Sequence, residues 1–161
     1  MTHPRTVADV VQEQRPDDTD PAVPSPGLRL ASVALYVADL ARSVRFYREL
    51  LLLTVGAETG TAAILVGADG SQLYLRSVGD RAPHVVGGIG VQCTVWTAVS
   101  TAELERCEQV LKSWNAHTAT STGEGFDWVE GRDPSGVPVM VSYPGPEHTA
   151  RHRIMSRIYA W

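Results

Sequence analysis

Lysine is almost absent from this chain. One, Lys112, stands among 14 basic residues, so the other thirteen are arginines. Asp and Glu number 18 and the net charge is −4, so there is no basic surplus of the kind that holds DNA, RNA or an anionic membrane. Long apolar runs are also missing. None approaches the roughly 20 residues of a membrane-spanning helix, and the N-terminus has no apolar signal segment, so a cytoplasmic protein is expected. Cysteine is scarce: Cys93 and Cys107 fall in a predicted strand and a predicted helix, which favours buried free thiols over a disulfide or a nucleophile. Arginine in place of lysine, with many Ala, Val and Gly, is the usage of a GC-rich genome and suits a source with rich secondary metabolism.

What is present is one domain's worth of ordinary globular sequence, 161 residues with 43% hydrophobic and 20% charged. Residues 1–27, including "QRPDDTDPAVPSPG", are poor in large apolar side chains and read as a flexible arm. From residue 28 the pattern sharpens. "LRLASVALYV" alternates, with Val33, Leu35 and Val37 on one face and Ser32, Ala34 and Tyr36 on the other. Asp39 suits an N-cap, and Leu40, Val44, Tyr47 and Leu51 make an apolar helical stripe. Arg42, Arg45 and Arg48 form its solvated side, with no role assigned. Strands at 53–58, 61–67 and 71–77 complete a βαβββ module over 28–78. After a linker at 79–88 the grammar repeats over 89–144. There "IGVQCTVW" precedes the capping-box pair Ser100 and Glu103, a stripe of Leu104, Cys107, Leu111 and Trp114, and strands near 117–121, 126–131 and 137–143. The tail, 145–161, is basic and amphipathic.

"SVALYVADLARSVRFYRELL" and the later "RDPSGVPVMV" resemble the opening and closing motifs of vicinal oxygen chelate proteins, the group of glyoxalases, extradiol dioxygenases and bleomycin-resistance proteins. The resemblance covers residues 28–144. It implies an α+β fold in which two βαβββ modules form an incomplete barrel around a single cavity. Metal-dependent members hold a cation with side chains from the first and last strand of each module. Registered here, those positions fall on Ser32, Tyr74, Gly90 and Met140. That set offers none of the imidazole, carboxylate or thiolate ligands a transition metal needs. A slip to Gln92 or Val139 does not help, and His3, His84, His117, His148 and His152 lie elsewhere. Neither a metal nor another cofactor is expected.

Alternation gives a cavity-facing set of Ser32, Ala34, Tyr36, Gln72, Tyr74, Arg76, Gly90, Gln92, Thr94, Trp96, Pro138, Met140 and Ser142. Such a surface suits a flat, partly polar organic ligand, small aromatic or polyketide-like, and offers no phosphate cradle. In "EGFDWVEGRDP", Asp127 and Glu130 take opposite faces. Asp127, between Phe126 and Trp128, is expected to be the inward acid or base, and Glu130, beside Arg132, a surface charge. Tyr36, Tyr74 and His84 are candidate catalytic partners. Ser32, Arg76, Gln92, Trp96, Trp128 and Met140 are candidate substrate contacts. Two functions remain open: a metal-independent cyclase, dehydratase or isomerase of natural-product intermediates, and an antibiotic-sequestering protein of the bleomycin-resistance type. A homodimer is the expected assembly.

Overall fold

The computed structural model describes residues 30–81, 90–122, 125 and 127–145. The arm expected at 1–27, most of the linker and tail, and His84 and Phe126 lie outside the described residues. The first unit runs β1 (Ser32–Val37), α1 (Leu40–Leu51), β2 (Thr54–Glu58), β3 (Ala62–Val66) and β4 (Gln72–Ser77). A 3-10 turn, Gly79–Arg81, follows. The second unit runs β5 (Thr94–Thr97), α2 (Thr101–Ser113), β6 (His117–Ser121), β7 (Asp127–Arg132) and β8 (Pro138–Tyr143). Each forms its own mixed four-stranded sheet, ordered β1-β4-β3-β2 and β5-β8-β7-β6. This is the α+β architecture of paired βαβββ modules. Even its irregularities repeat, since β2 bulges between Val55 and Ala57 and β6 between His117 and Ala119.

The helices start where the sequence marks them. The Asp39 carboxylate accepts the N–H of Arg42 at 2.9 Å, and Leu40, Val44, Tyr47 and Leu50 are buried against the sheet while Arg42, Arg45 and Arg48 stay exposed. Ser100 Oγ accepts the N–H of Glu103 at 3.2 Å. Glu103 does not turn back to complete the capping box with Ser100. Its carboxylate accepts instead from Arg106, at 2.9 Å from Nε and 2.6 Å from Nη2. The same guanidinium donates to the last carbonyls of α1, Glu49 O at 2.8 Å and Leu50 O at 2.7 Å. Those carbonyls have no partner within their own helix.

One apolar cluster joins the modules, running from Leu35 and Val37 through Phe46 and Leu50 to Leu111, Val139 and Val141. Phe46 meets Trp114 edge to face, with ring centres 5.4 Å apart. The two family-like motifs also touch. Tyr47 of "RFYRELL" donates its hydroxyl to Asp133 of "RDPSG" at 2.9 Å. Asp133 is buried and also accepts from the N–H groups of Ser135 and Val137. Ser135 Oγ in turn accepts the N–H of Ala38 at 3.0 Å. The β7–β8 turn therefore locks the second module to the first strand and helix of the other.

Candidate functional site

In the first module the expected alternation holds. β1 pairs in parallel with β4, setting Ser32 opposite Gln72, Ala34 opposite Tyr74 and Tyr36 opposite Arg76. Leu35, Val37, Leu73 and Leu75 are buried toward α1, so these six residues share the other, concave face. That face is open: Tyr36 is 67% exposed and Tyr74 39%. The Tyr74 hydroxyl donates to Gln72 Oε1 at 2.9 Å, and Arg76 is exposed.

In the second module β5 turns the other way from the expectation. Thr94 lies opposite Val139 and Trp96 opposite Val141, both core valines. Thr94 and Trp96 therefore face the helix layer, where the Trp96 indole donates to Thr94 Oγ1 at 3.1 Å. Val95 and Thr97, opposite Met140 and Ser142, take the concave face. Gly90 and Gln92 precede the strand, and the Gln92 amide turns back to Gly90 O at 3.3 Å. The module-two counterpart of Ser32 is thus Cys93 and not Gly90. A count from the caps carries that signal, because Ser32 lies seven residues before Asp39 (39 − 32) and Cys93 seven before Ser100 (100 − 93).

The acid also changes identity. On β7, Glu130 lies opposite Met140 and Trp128 opposite Ser142. Glu130 is 3% exposed, and Met140 and Ser142 are fully buried. The Trp128 indole donates to Glu130 Oε1 at 2.7 Å. Asp127, expected inward, is the first residue of the strand, half-buried and on the same side as the core residue Val129. Glu130, expected at the surface, is the buried carboxyl of the concave face. The physical reason is the covering of the strand. Trp128, Val129, Glu130 and Gly131 are buried in succession, so both faces of β7 are covered and alternation cannot give Glu130 a route to water. His84 lies outside the described residues.

Between the starts of β1 and β5 opens a cleft of about 210 Å³, lined by Ser32, Gln72, Cys93, Val95 and Trp96 among others. Trp96 borders it from the core side. Burial, reinforced by the nearby charge of Glu130, pushes the Cys93 thiol up to about 12, against a smaller opposing effect from a backbone hydrogen bond at Met140. With Cys93 replacing the expected Gly90, the four positions of the family-like register become Ser32, Tyr74, Cys93 and Met140. They offer a hydroxyl, a phenol, a single thiol and a thioether, with no imidazole or carboxylate among them, a set that does not fit a hard divalent cation. Among the described residues, no three His, Cys, Asp or Glu side chains gather closely enough to hold an ion.

Repeated βαβββ units, a parallel pair of first and last strands in each, and a cleft where the two first strands approach define a protein of the vicinal oxygen chelate fold. The chain belongs to the Glyoxalase/Bleomycin resistance protein/Dioxygenase superfamily, whose family model matches residues 29–141. No curated protein matches it in sequence. Among solved structures, a glyoxylase/bleomycin resistance protein/dioxygenase domain from Frankia sp. EAN1pec is 21% identical, with TM-score 0.63, covering 71% of this chain and 96% of its own. Lactoylglutathione lyase from Agrobacterium tumefaciens is 21% identical, with TM-score 0.56, covering 73% and 94%. The fosfomycin resistance protein FosX from Listeria monocytogenes, complexed with Mn(II), is 11% identical, with TM-score 0.61, covering 78% and 97%. At these identities the likeness is one of fold.

Proposed function

We propose that this protein is an enzyme that rearranges a flat, partly polar organic molecule, aromatic or polyketide-like, by proton transfer. The observation that carries this reading is the carboxyl of Glu130, buried on the concave face and held in place by the Trp128 indole. A carboxyl withdrawn from solvent and oriented by a hydrogen bond can exchange its proton with a bound substrate. In an isomerisation Glu130 takes a proton from one carbon and returns it at another atom. In a dehydration it passes the proton to the departing hydroxyl. Tyr36 and Arg76 supply hydrogen-bond donors on the first module, the Tyr74 hydroxyl, whose O–H is given to Gln72, supplies an acceptor, and Cys93 supplies polarisable wall. Leu30, Tyr36, Tyr74, Val91 and Val95 remain exposed along this side, which supports closure by a second copy in a homodimer.

The test is incubation with a panel of polycyclic aromatic and polyketide-like compounds, each re-weighed by chromatography and mass spectrometry. A product lighter by one water, or isomeric with a new retention time, is expected. Glu130→Gln is expected to lower turnover by about 10²-fold or more while binding persists, and Asp127→Asn to leave turnover intact. The second reading, sequestration of an antibiotic, is favoured by the exposed tyrosines, which suit stacking. Compounds that bind tightly and always return unchanged would establish it and overturn the enzyme.

A further inference from the structure

A second cavity, of about 240 Å³, opens on the helix side where the two modules meet. The first module contributes Arg42 and Phe46. The second contributes the stretch from Trp114 to Thr118 and the start of the β7–β8 turn, Arg132 to Pro134. Nothing in the concave-face reading uses it, and Arg42 was assigned no role by sequence.

Its charge is unbalanced. Two arginines line it, and among the described residues neither has a carboxylate within ion-pair distance; the ion pairs there use Arg45, Arg106, Lys112 and His117. Arg132 donates from Nη1 to Gly136 O at 3.1 Å, and that bond neutralises no charge. The acid on the wall, Asp133, already accepts from Tyr47, Ser135 and Val137. Two guanidiniums against the single carboxylate of Asp133 leave this lining net positive in a chain of net charge −4. Its other walls are mixed: Asn115, His117 and Thr118 are polar, while Pro134 and the Trp114 ring, which packs edge to face with Phe46 and carries the Arg45 guanidinium 4.6 Å from its centre, are flat and apolar.

The geometry points to a binding site for a small aromatic carboxylate spanning the two modules. A guanidinium fork matches a carboxylate in shape and charge, and the indole and proline walls match a planar ring. A phosphate dianion suits the site less well. The first turn of α1 is already faced by the Asp39 carboxylate, which accepts the N–H of Arg42 at 2.9 Å, and a doubly charged group would be repelled there. An occupant bridging Arg42 and Arg132 ties α1 to the turn from which β8 starts. It therefore binds the native protein and not the unfolded chain, and raises stability by mass action.

The experiment is a titration of ¹⁵N-labelled full-length protein with 2-naphthoate, and in parallel with inorganic phosphate, followed at the tryptophan indole N–H signals. Trp114→Phe assigns the signal that matters. Naphthoate is expected to shift the Trp114 signal saturably and to leave in place those of Trp96 and Trp128, neither of which lines this cavity. Arg42→Ala and Arg132→Lys are each expected to weaken binding by roughly tenfold or more. Arg42 is exposed, so its variant folds. Three results overturn the proposal: no saturable shift, movement of Trp96 or Trp128 in place of Trp114, or phosphate binding as tightly as naphthoate. None of these bears on whether Glu130 is catalytic.

Discussion

Single side chains in this protein take their character from which face of a strand they occupy, and Asp127 and Glu130 show it most clearly. Along the chain Asp127 has the aromatic neighbours, Phe126 and Trp128, and Glu130 the charged one, Arg132. Neighbours in sequence point to the opposite side of a strand. Trp128 shares its face with Glu130 and bonds to it, so the same indole that drew attention to Asp127 serves the other acid. A second residue carries backbone strain. Leu52 closes α1 in the left-handed region, φ 53°, with its side chain 61% exposed. A branched aliphatic residue pays a steric penalty there that glycine avoids. Leu52→Gly is expected to stabilise the protein by about 1 kcal/mol, a rise in Tm of roughly 3 °C by calorimetry. An unchanged or lower Tm would show that the strain is relieved elsewhere.

The helices and strands were legible because their signals are local. Asp39 and Ser100 mark the two helix starts, and the turns "ADG" and "DPSG" separate strands found within a residue or so of their expected bounds. The facing of β5 was not legible from alternation, though the count back from the Ser100 cap carried it. The four residues of Thr94–Thr97 are too few for alternation to fix a face, and pairing with Val139 and Val141 does so. One glycine shows how tightly α2 and its sheet then close. A Cβ on Gly131 would lie 2.6 Å from Leu111 Cδ2 and 2.7 Å from Ala116 O. Leucine can rotate, but the carbonyl cannot. Gly131→Ala is expected to cost about 1–3 kcal/mol, seen as a lower urea midpoint at unchanged slope. A variant as stable as the parent would mean that the end of α2 moves freely over β7.

For the molecule as a whole, burial leaves three protons held more firmly than in the unfolded chain. Tyr47 is raised well above its usual value by burial and by Asp133, Cys93 is pushed up to about 12 and Cys107 to about 11, both chiefly by burial. Where folded values exceed unfolded ones, the folded state binds more protons and stability falls as pH rises. The contribution is therefore complete below about pH 9, the ordinary thiol value, and lost on approaching 11 to 12. A lower urea midpoint is expected at pH 10.5 than at pH 7.5, and replacing both cysteines by alanine should flatten the difference. Equal midpoints in the parent protein would contradict it. In the folded protein near neutrality, both thiols should also resist alkylation.

The repeated module, the helix caps and the family follow from residues close together in the chain, because alternation, capping and turn chemistry act over a few positions. The link between the two motifs, Tyr47 with Asp133 across 86 positions, depends on how the modules pack. So do the choice of Glu130 over Asp127, the place of Cys93 beside Ser32, and the cavity between Arg42 and Arg132. Each sets together side chains from different strands or different modules. Sheet register and the shared core bring them into contact, and no periodicity within one segment encodes that.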